Sequence, residues 1–280
     1  MHFHDWLPVR LIATPRSSLR TCRSDADLAE VLANNVETFD HLPVVRVSED
    51  ATETIIGLLD IPGVRAATAP RGAVNGWMHP ISENILIGAD ASILDFVLGA
   101  DRQRCRLVVS GSEISGLVSL SDLQKLPVRA ALFATITHCE ITMASAIRRE
   151  FRDSDAWLDR LSNDRQSKIR EEIATSTNDD GFVNSLLFTQ FGDKVRIIRK
   201  SPRFQWSRTK FKKEMGMVEK LRNWIVHAND YASTPSAAEE VCRTVRARDK
   251  WVDRLTQWLT IGIPAPVSSG SASRRGAQRR

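Results

Sequence analysis

The sequence predicts an α/β fold for residues 1–126 and an all-α helical bundle for residues 127–262. Three observations predict it. Up to residue 126, short apolar runs rich in β-branched residues alternate with short amphipathic segments. That order occurs twice, about 60 residues apart, the kind of period that marks an internal repeat. After Pro127, apolar residues instead recur at steps of three and four over long stretches, and strand-like runs almost disappear.

In the first repeat, "SDADLAEVL" (24–32) predicts a helix with Ser24 as its N-cap and Leu28, Val31 and Leu32 on one face. "LPVVRV" (42–47) and "TIIGLLD" (54–60) predict two strands. In the second repeat, "ADASILDFVL" (89–98) predicts a helix with Asp90 near its cap. "CRLVV" (105–109) and "ISGLVSL" (114–120) predict strands joined by the turn "SGSE". The two passages align through Asp-Ala near Asp25 and Asp90, then P-V-V against L-V-V, then I-G-L-L against S-G-L-V.

In the second half, residues 128–151 place Leu132, Ile136, Cys139, Met143 and Ile147 on one helical face. Residues 211–228 do the same with Phe211, Met215, Val218, Leu221 and Ile225. Residues 238–259 follow with Val241, Val245, Val252, Leu255 and Leu259. Shorter helices are predicted in 155–161, 165–174 and 182–200.

A length of 280 residues favours two domains, and 42% hydrophobic with 26% charged residues is ordinary for a globular protein. No uninterrupted apolar run reaches the roughly 20 residues that span a bilayer, so no membrane partner is expected. The N-terminal segment lacks the pattern of a secretory signal. The four cysteines are scattered without a C-x-x-C pair, which argues against a zinc site or disulfide framework and for a reducing cytoplasm. The net charge of +5 permits nucleic-acid binding without requiring it. Residues 263–280, Ser/Gly/Ala-rich and then basic, are expected to form a disordered tail, a solubilising end in preference to a nucleic-acid arm.

The segment "ISGLVSLSDLQKL" (114–126) resembles the end of a CBS module, of the cystathionine β-synthase type. Such modules come in tandem pairs of about 60-residue repeats, each ending in G-hydrophobic-x-[Ser/Thr]-x-x-Asp; here the pattern falls on Gly116, Ser119 and Asp122. The resemblance covers about residues 19–126 and implies a CBS pair that binds AMP, ADP or ATP, with Ser119 on phosphate and Asp122 on ribose. The chemistry is sound: a hydroxyl at a helix start suits phosphate, and a carboxylate accepts from ribose hydroxyls. The first repeat departs from the pattern, since Gly57 is followed by Leu58, Leu59, Asp60, Ile61 and Pro62. Beside this stands a structural reading, in which Ser119 caps a helix and Asp122 occupies its first turn.

The stretch "KLRNWIVHAND" (220–230) closes a predicted helix with Arg222, Asn223 and His227. Asn223 and His227, four apart, share a face, while Arg222 lies about 140° round from His227. A basic residue five before a His is expected roughly once by chance in this composition, so spacing alone carries nothing. In its all-helical setting, however, the stretch resembles the R-x-x-x-x-H signature of HEPN domains, including the Asn after the Arg. That resemblance covers about residues 128–259. It implies a metal-independent endoribonuclease, or the non-catalytic scaffold or partner-binding role of other HEPN domains. In the catalytic case His227 transfers a proton, Arg222 clamps phosphate, and Asn223 orients one of them. Glu140 is a further candidate, with an ion pair to a nearby Arg as its structural alternative. No cofactor is required. A homodimer that joins two motifs in one cleft is implied, with RNA as substrate. Trp157, Trp206, Trp224, Trp251 and Trp258 are expected to serve the core rather than to stack on bases. The joint expectation is a nucleotide-regulated ribonuclease in which the segment 126–129 couples the two halves.

Overall fold

The computed structural model describes residues 7–36, 39–152, 154–177 and 185–260. The first half holds two four-stranded sheets built on one plan. In the first sheet, β2 (Cys22–Arg23) runs parallel to β3 (His41–Val47), β3 antiparallel to β4 (Glu53–Asp60), and β4 antiparallel to β5 (His79–Pro80). In the second, β6 (Leu86–Gly88) runs parallel to β7 (Cys105–Ser110), β7 antiparallel to β8 (Glu113–Ser119), and β8 antiparallel to β1 (Thr14–Pro15). The repeat read from the sequence is therefore a repeat of topology. Even the register shift recurs, at Val44/Val45 and at Val108/Val109. β1, from before the first repeat, closes the sheet of the second.

Two glycines show why these edges form. A Cβ on Gly57 would lie 2.5 Å from the His79 carbonyl oxygen, and one on Gly116 would lie 2.5 Å from that of Thr14. Any side chain there would push away the two-residue edge strand.

The helices sit between the strands as α1 (Leu28–Asn34), α2 (Ile61–Ala66) and α3 (Ile93–Gly99). Their caps differ from those read in the sequence. α1 is capped by Asp27, not Ser24: Asp27 is extended and its carboxylate accepts from the Ala29 and Glu30 amides. α3 is capped by Ser92, which forms a reciprocal capping box with Asp95, leaving Asp90 outside.

The second half contains α4 (Leu126–Phe151), α5 (Asn163–Thr177), α6 (Phe191–Lys200), α7 (Arg208–Val226) and α8 (Pro235–Thr260). Residues 155–160 form a tight 3-10 turn rather than an α-helix. The helix expected over 182–200 is broken. Ser185–Phe188 form a 3-10 turn, and α6 starts afresh because the Asp193 carboxylate accepts from the Gln190 amide at 3.0 Å. Residues 182–184 and the basic segment 263–280 lie outside the described residues. α4 is long and apolar enough to cross a membrane by length and composition, yet 56% of its most apolar window is buried in the protein.

The second repeat and the helical half share one apolar core. Phe96, Val97, Val118 and Leu123 join Val128, Leu132, Cys139, Trp251 and Leu255 in it. The first repeat has a smaller core of its own around Leu28, Val44, Leu59 and Val74. Polar contacts pin the shared side: Arg246 grips the Asp101 carboxylate at 2.8 and 2.5 Å and the Leu98 carbonyl at 2.7 Å. Trp157 and Trp251 are fully buried, whereas Trp206, Trp224 and Trp258 pack against the core from its edge.

Candidate functional site

A cleft of about 520 Å³ opens where the two repeats meet the helical half. One wall is the end of β8 and the turn after it, with Ser119, Ser121, Asp122 and Gln124. A second comes from the start of β3, with Asp40 and His41, and a third from Thr14, Ser18 and Arg20. The fourth, Ala232 to Pro235 with Ala238, is the α7–α8 connection and the first turn of α8.

Ser119 and Asp122 are thus on the wall of one cleft. They also satisfy each other: Asp122 Oδ2 accepts from the Ser119 amide at 2.6 Å and from its hydroxyl at 3.3 Å, while Asp122 Oδ1 meets Lys125 Nζ at 2.7 Å. Ser119 is thus the cap and Asp122 stands in the first turn, joined in a capping box, and the same pair lines the cleft. Gly116 does not line the cleft; its lack of a Cβ admits β1 to the edge of β8, which brings Thr14 to the wall. In the first repeat the corresponding position is Asp60, at the end of β4, with His41 Nε2 3.9 Å from its carboxylate.

Burial pushes the His41 imidazole below its ordinary value, with the pull of Asp60 and then Asp40 in the opposite direction being smaller. The unfolded chain takes up this proton near pH 6.5 and the folded chain only at lower pH. Below about pH 6.5 the unfolded state binds more protons, so stability falls until the folded value is reached. Thermal melts should therefore show a midpoint that drops on acidification from about pH 7 to 5, and His41→Asn should flatten that drop. An equal slope in the variant would show that His41 does not carry it.

The second candidate cluster lies on the bundle. Arg222 Nε is 3.7 Å from Glu140 Oε2, so the structure brings these two residues together. Lys194 completes the group, with Nζ 2.9 Å from Glu140 Oε1 and donating to the Thr189 carbonyl at 2.7 Å. Lys194 is buried, whereas Arg222 keeps 38% of its side chain exposed. Sequence reading missed Lys194, although its position with Phe191, Val195 and Ile198 on the buried stripe of α6 is the signal that could have found it. Among the described residues no group of three or more His, Cys, Asp or Glu side chains could hold a metal ion. The four cysteines are free and buried, and burial raises Cys22 and Cys242 to about 11 and Cys139 to about 12.

Asn223 and His227 are exposed, and His227 is the C-cap of α7. The helix ends in a Schellman turn: the Asn229 amide donates to the Trp224 carbonyl at 2.9 Å and the Ala228 amide to Ile225 at 3.3 Å. Ala228 takes the left-handed conformation, φ 56°, usually left to glycine. Arg129 of α4 donates to the carbonyls of Trp224, Ile225 and Asn229 at 3.3, 3.1 and 2.9 Å, neutralising the negative helix end. Its guanidinium also lies 5.0 Å from the centre of the Tyr231 ring.

Fold and cleft together define a class: a tandem α/β repeat with a ligand-sized cleft, joined through a shared core to a helical bundle. Solved structures similar to the N-terminal 43% of the chain are CBS-domain proteins. The CBS domain of a bacterial CNNM/CorC family Mg2+ transporter in complex with ATP is 22% identical, over 43% of this chain and 86% of that one, with a TM-score of 0.36. CBSX2 in complex with AMP is 21% identical, over 45% of this chain and 96% of that one, at 0.32. The CBS domains of a transcriptional regulator from Streptococcus pneumoniae are 15% identical, over 42% and 97%, at 0.34. No family model matches the chain, and no curated protein matches it significantly.

Proposed function

We propose that this protein is a nucleotide-responsive regulator whose cleft takes AMP, ADP or ATP and whose helical half gives the response. One observation carries the reading: Ser119 and Asp122, the two polar residues of the motif that resembles a CBS ligand site, line a single cleft of about 520 Å³. That volume lies within the roughly 300–1,000 Å³ of small-molecule sites. The cleft also carries Arg20 and Arg104, cations suited to phosphate. In this reading the division near Leu126 separates a sensing part from a responding part. Calorimetry with AMP and with ATP tests it. Wild type should bind at least one of them, and Asp122→Ala should weaken that binding by about tenfold or more, the worth of a hydrogen bond to a charged acceptor. Absence of binding to either at millimolar concentration would overturn the reading.

For the response we propose metal-independent cleavage of RNA by Arg222 and His227, in a homodimer. The exposed His227 at the helix end and the open Arg222 guanidinium beside Glu140 support it. Exposed Phe133, Ile141 and Val226 give the bundle apolar surface for a second copy. The ion pairs of Glu140 with Arg222 and Lys194 favour a second reading, in which the cluster only holds α4, α6 and α7 together in a non-catalytic scaffold.

A further inference from the structure

The geometry points to the α7–α8 connection as part of the ligand site itself, contributing Ser233 and Thr234 to recognition and passing occupancy on to the helix end that bears His227. The inference rests on the nucleotide reading of the cleft and adds to it a contact surface from the helical half.

Three sets of contacts support it. First, Ser233 and Thr234 are exposed side chains that line the same cleft as Ser119 and Asp122. A nucleotide filling a space of this size meets hydroxyls from both halves. Second, the turn that carries Asp122 holds the connection directly. With the Gln124 amide assigned by its hydrogen-bond network, its oxygen accepts from the Tyr231, Ala232 and Ser233 amides at 3.2, 3.0 and 3.0 Å. One residue earlier, the Leu123 carbonyl accepts from the buried Tyr231 hydroxyl at 2.6 Å. Burial pushes that hydroxyl up to about 12, so it remains a donor near neutral pH. Third, the Tyr231 ring lies under Arg129, the side chain that caps the last carbonyls of α7.

The chain of contacts is short and continuous: Asp122, then Leu123 and Gln124, then Tyr231, then Arg129, then the end of α7. At that end Ala228 is held in a left-handed turn, which is strained for a residue with a Cβ. A strained turn opens locally more readily than a relaxed one, so contacts that hold it closed set its open population. A ligand bridging Ser119 and Asp122 to Ser233 and Thr234 has affinity only for the closed arrangement, and shifts the population toward it.

Hydrogen–deuterium exchange on the full-length protein, with and without AMP or ATP, tests this. With nucleotide at about 100 times its Kd, exchange of amides in 222–238 should slow by about tenfold or more, alongside those in 117–125. Tyr231→Phe keeps the ring and removes the link to Leu123. It should bind nucleotide within about threefold of wild type, the net worth of a neutral hydrogen bond being modest, yet lose most of the protection at the end of α7, in 222–229, while 233–238 stay protected by direct contact. Removing both hydroxyls, with Ser233→Ala and Thr234→Val, should weaken binding by about thirtyfold, since each net hydrogen bond is worth about 1 kcal/mol. If nucleotide binds and protects 117–125 but not 222–238, this inference is overturned and the nucleotide reading stands. Protection of 222–229 that is undiminished in Tyr231→Phe overturns the route through Tyr231. If neither nucleotide binds, the cleft reading fails and this inference fails with it.

Discussion

Replacing His227 by alanine is expected to lower RNA cleavage by about 10²–10⁴-fold, the usual cost of losing a general acid or base. The loss would report chemistry rather than folding. His227 is exposed at the end of α7, and substitutions at such surface positions usually change stability by less than about 0.5 kcal/mol. Arg222→Ala should cost about 10²–10³-fold, because a guanidinium aimed at the phosphate stabilises charge that grows in the transition state. Asn223→Ala should cost less, since an amide orients without transferring a proton or carrying a charge. RNA should be cut and DNA spared, because in the proposed reaction the attacking group would be the substrate's own 2′-hydroxyl, and the product should carry a cyclic phosphate. Cleavage should persist in EDTA. With one such His per chain, the proposed reaction would draw acid and base from two copies, so light scattering at tens of micromolar should report a dimer. Cleavage that survives His227→Ala would move the active residues elsewhere. A wild type that cuts no RNA, with or without nucleotide, would favour the scaffold reading.

The long helices were legible because their apolar period persists. α4, α7 and α8 each keep a three- and four-residue rhythm for 19 or more residues, enough to separate a buried face from a wet one. Strands β3, β4, β7 and β8 were legible from their β-branched runs. The two-residue strands β1, β2 and β5 were not, since two residues show no period, and the pairing of β1 and β5 depends on clearance at Gly116 and Gly57. Cap choice was illegible where capping types cluster. Ser24, Asp25 and Asp27 all qualify, and the residue whose backbone turns extended just before the helix wins. The site follows the same logic. Ser119 and Asp122 stand three apart in a readable motif. Thr14, His41 and Thr234 reach the same cleft only through tertiary contacts, which a local pattern does not encode.

The cleft and the Arg222 cluster are also built differently, and this bears on how each tolerates change. Ser119 and Asp122 satisfy each other locally, so the cleft wall is preformed without a ligand. Glu140, by contrast, answers two cations from two other helices. Its removal affects packing as well as any chemistry.

Glu140→Ala is accordingly expected to destabilise the protein by about 2–3 kcal/mol. Lys194 is buried, and Glu140 is its only charged partner within 4 Å among the described residues. Breaking a buried ion pair by removing one member costs about 3–5 kcal/mol, because the other charge is stranded away from water. Two features lower that figure here. Glu140 keeps 23% of its side chain exposed, and Lys194 retains the Thr189 carbonyl at 2.7 Å. In a chain of this size about 2–3 kcal/mol corresponds to a fall of roughly 5–10 °C in melting temperature. Combining Lys194→Met with Glu140→Ala should recover most of the loss, since the stranded charge is then gone and an unbranched apolar chain fills the same space. Glu140→Gln keeps an acceptor for Lys194 and should cost about 1 kcal/mol. That variant also separates the two readings of the cluster. If Glu140 only positions Arg222 through packing, Glu140→Gln retains cleavage within a few-fold. If its charge orients the guanidinium or takes a proton, cleavage falls by far more than the roughly 2–4 °C drop in melting temperature accounts for. A Glu140→Ala protein as stable as wild type would show that Lys194 is not held by this pair, and would remove the structural account of the cluster.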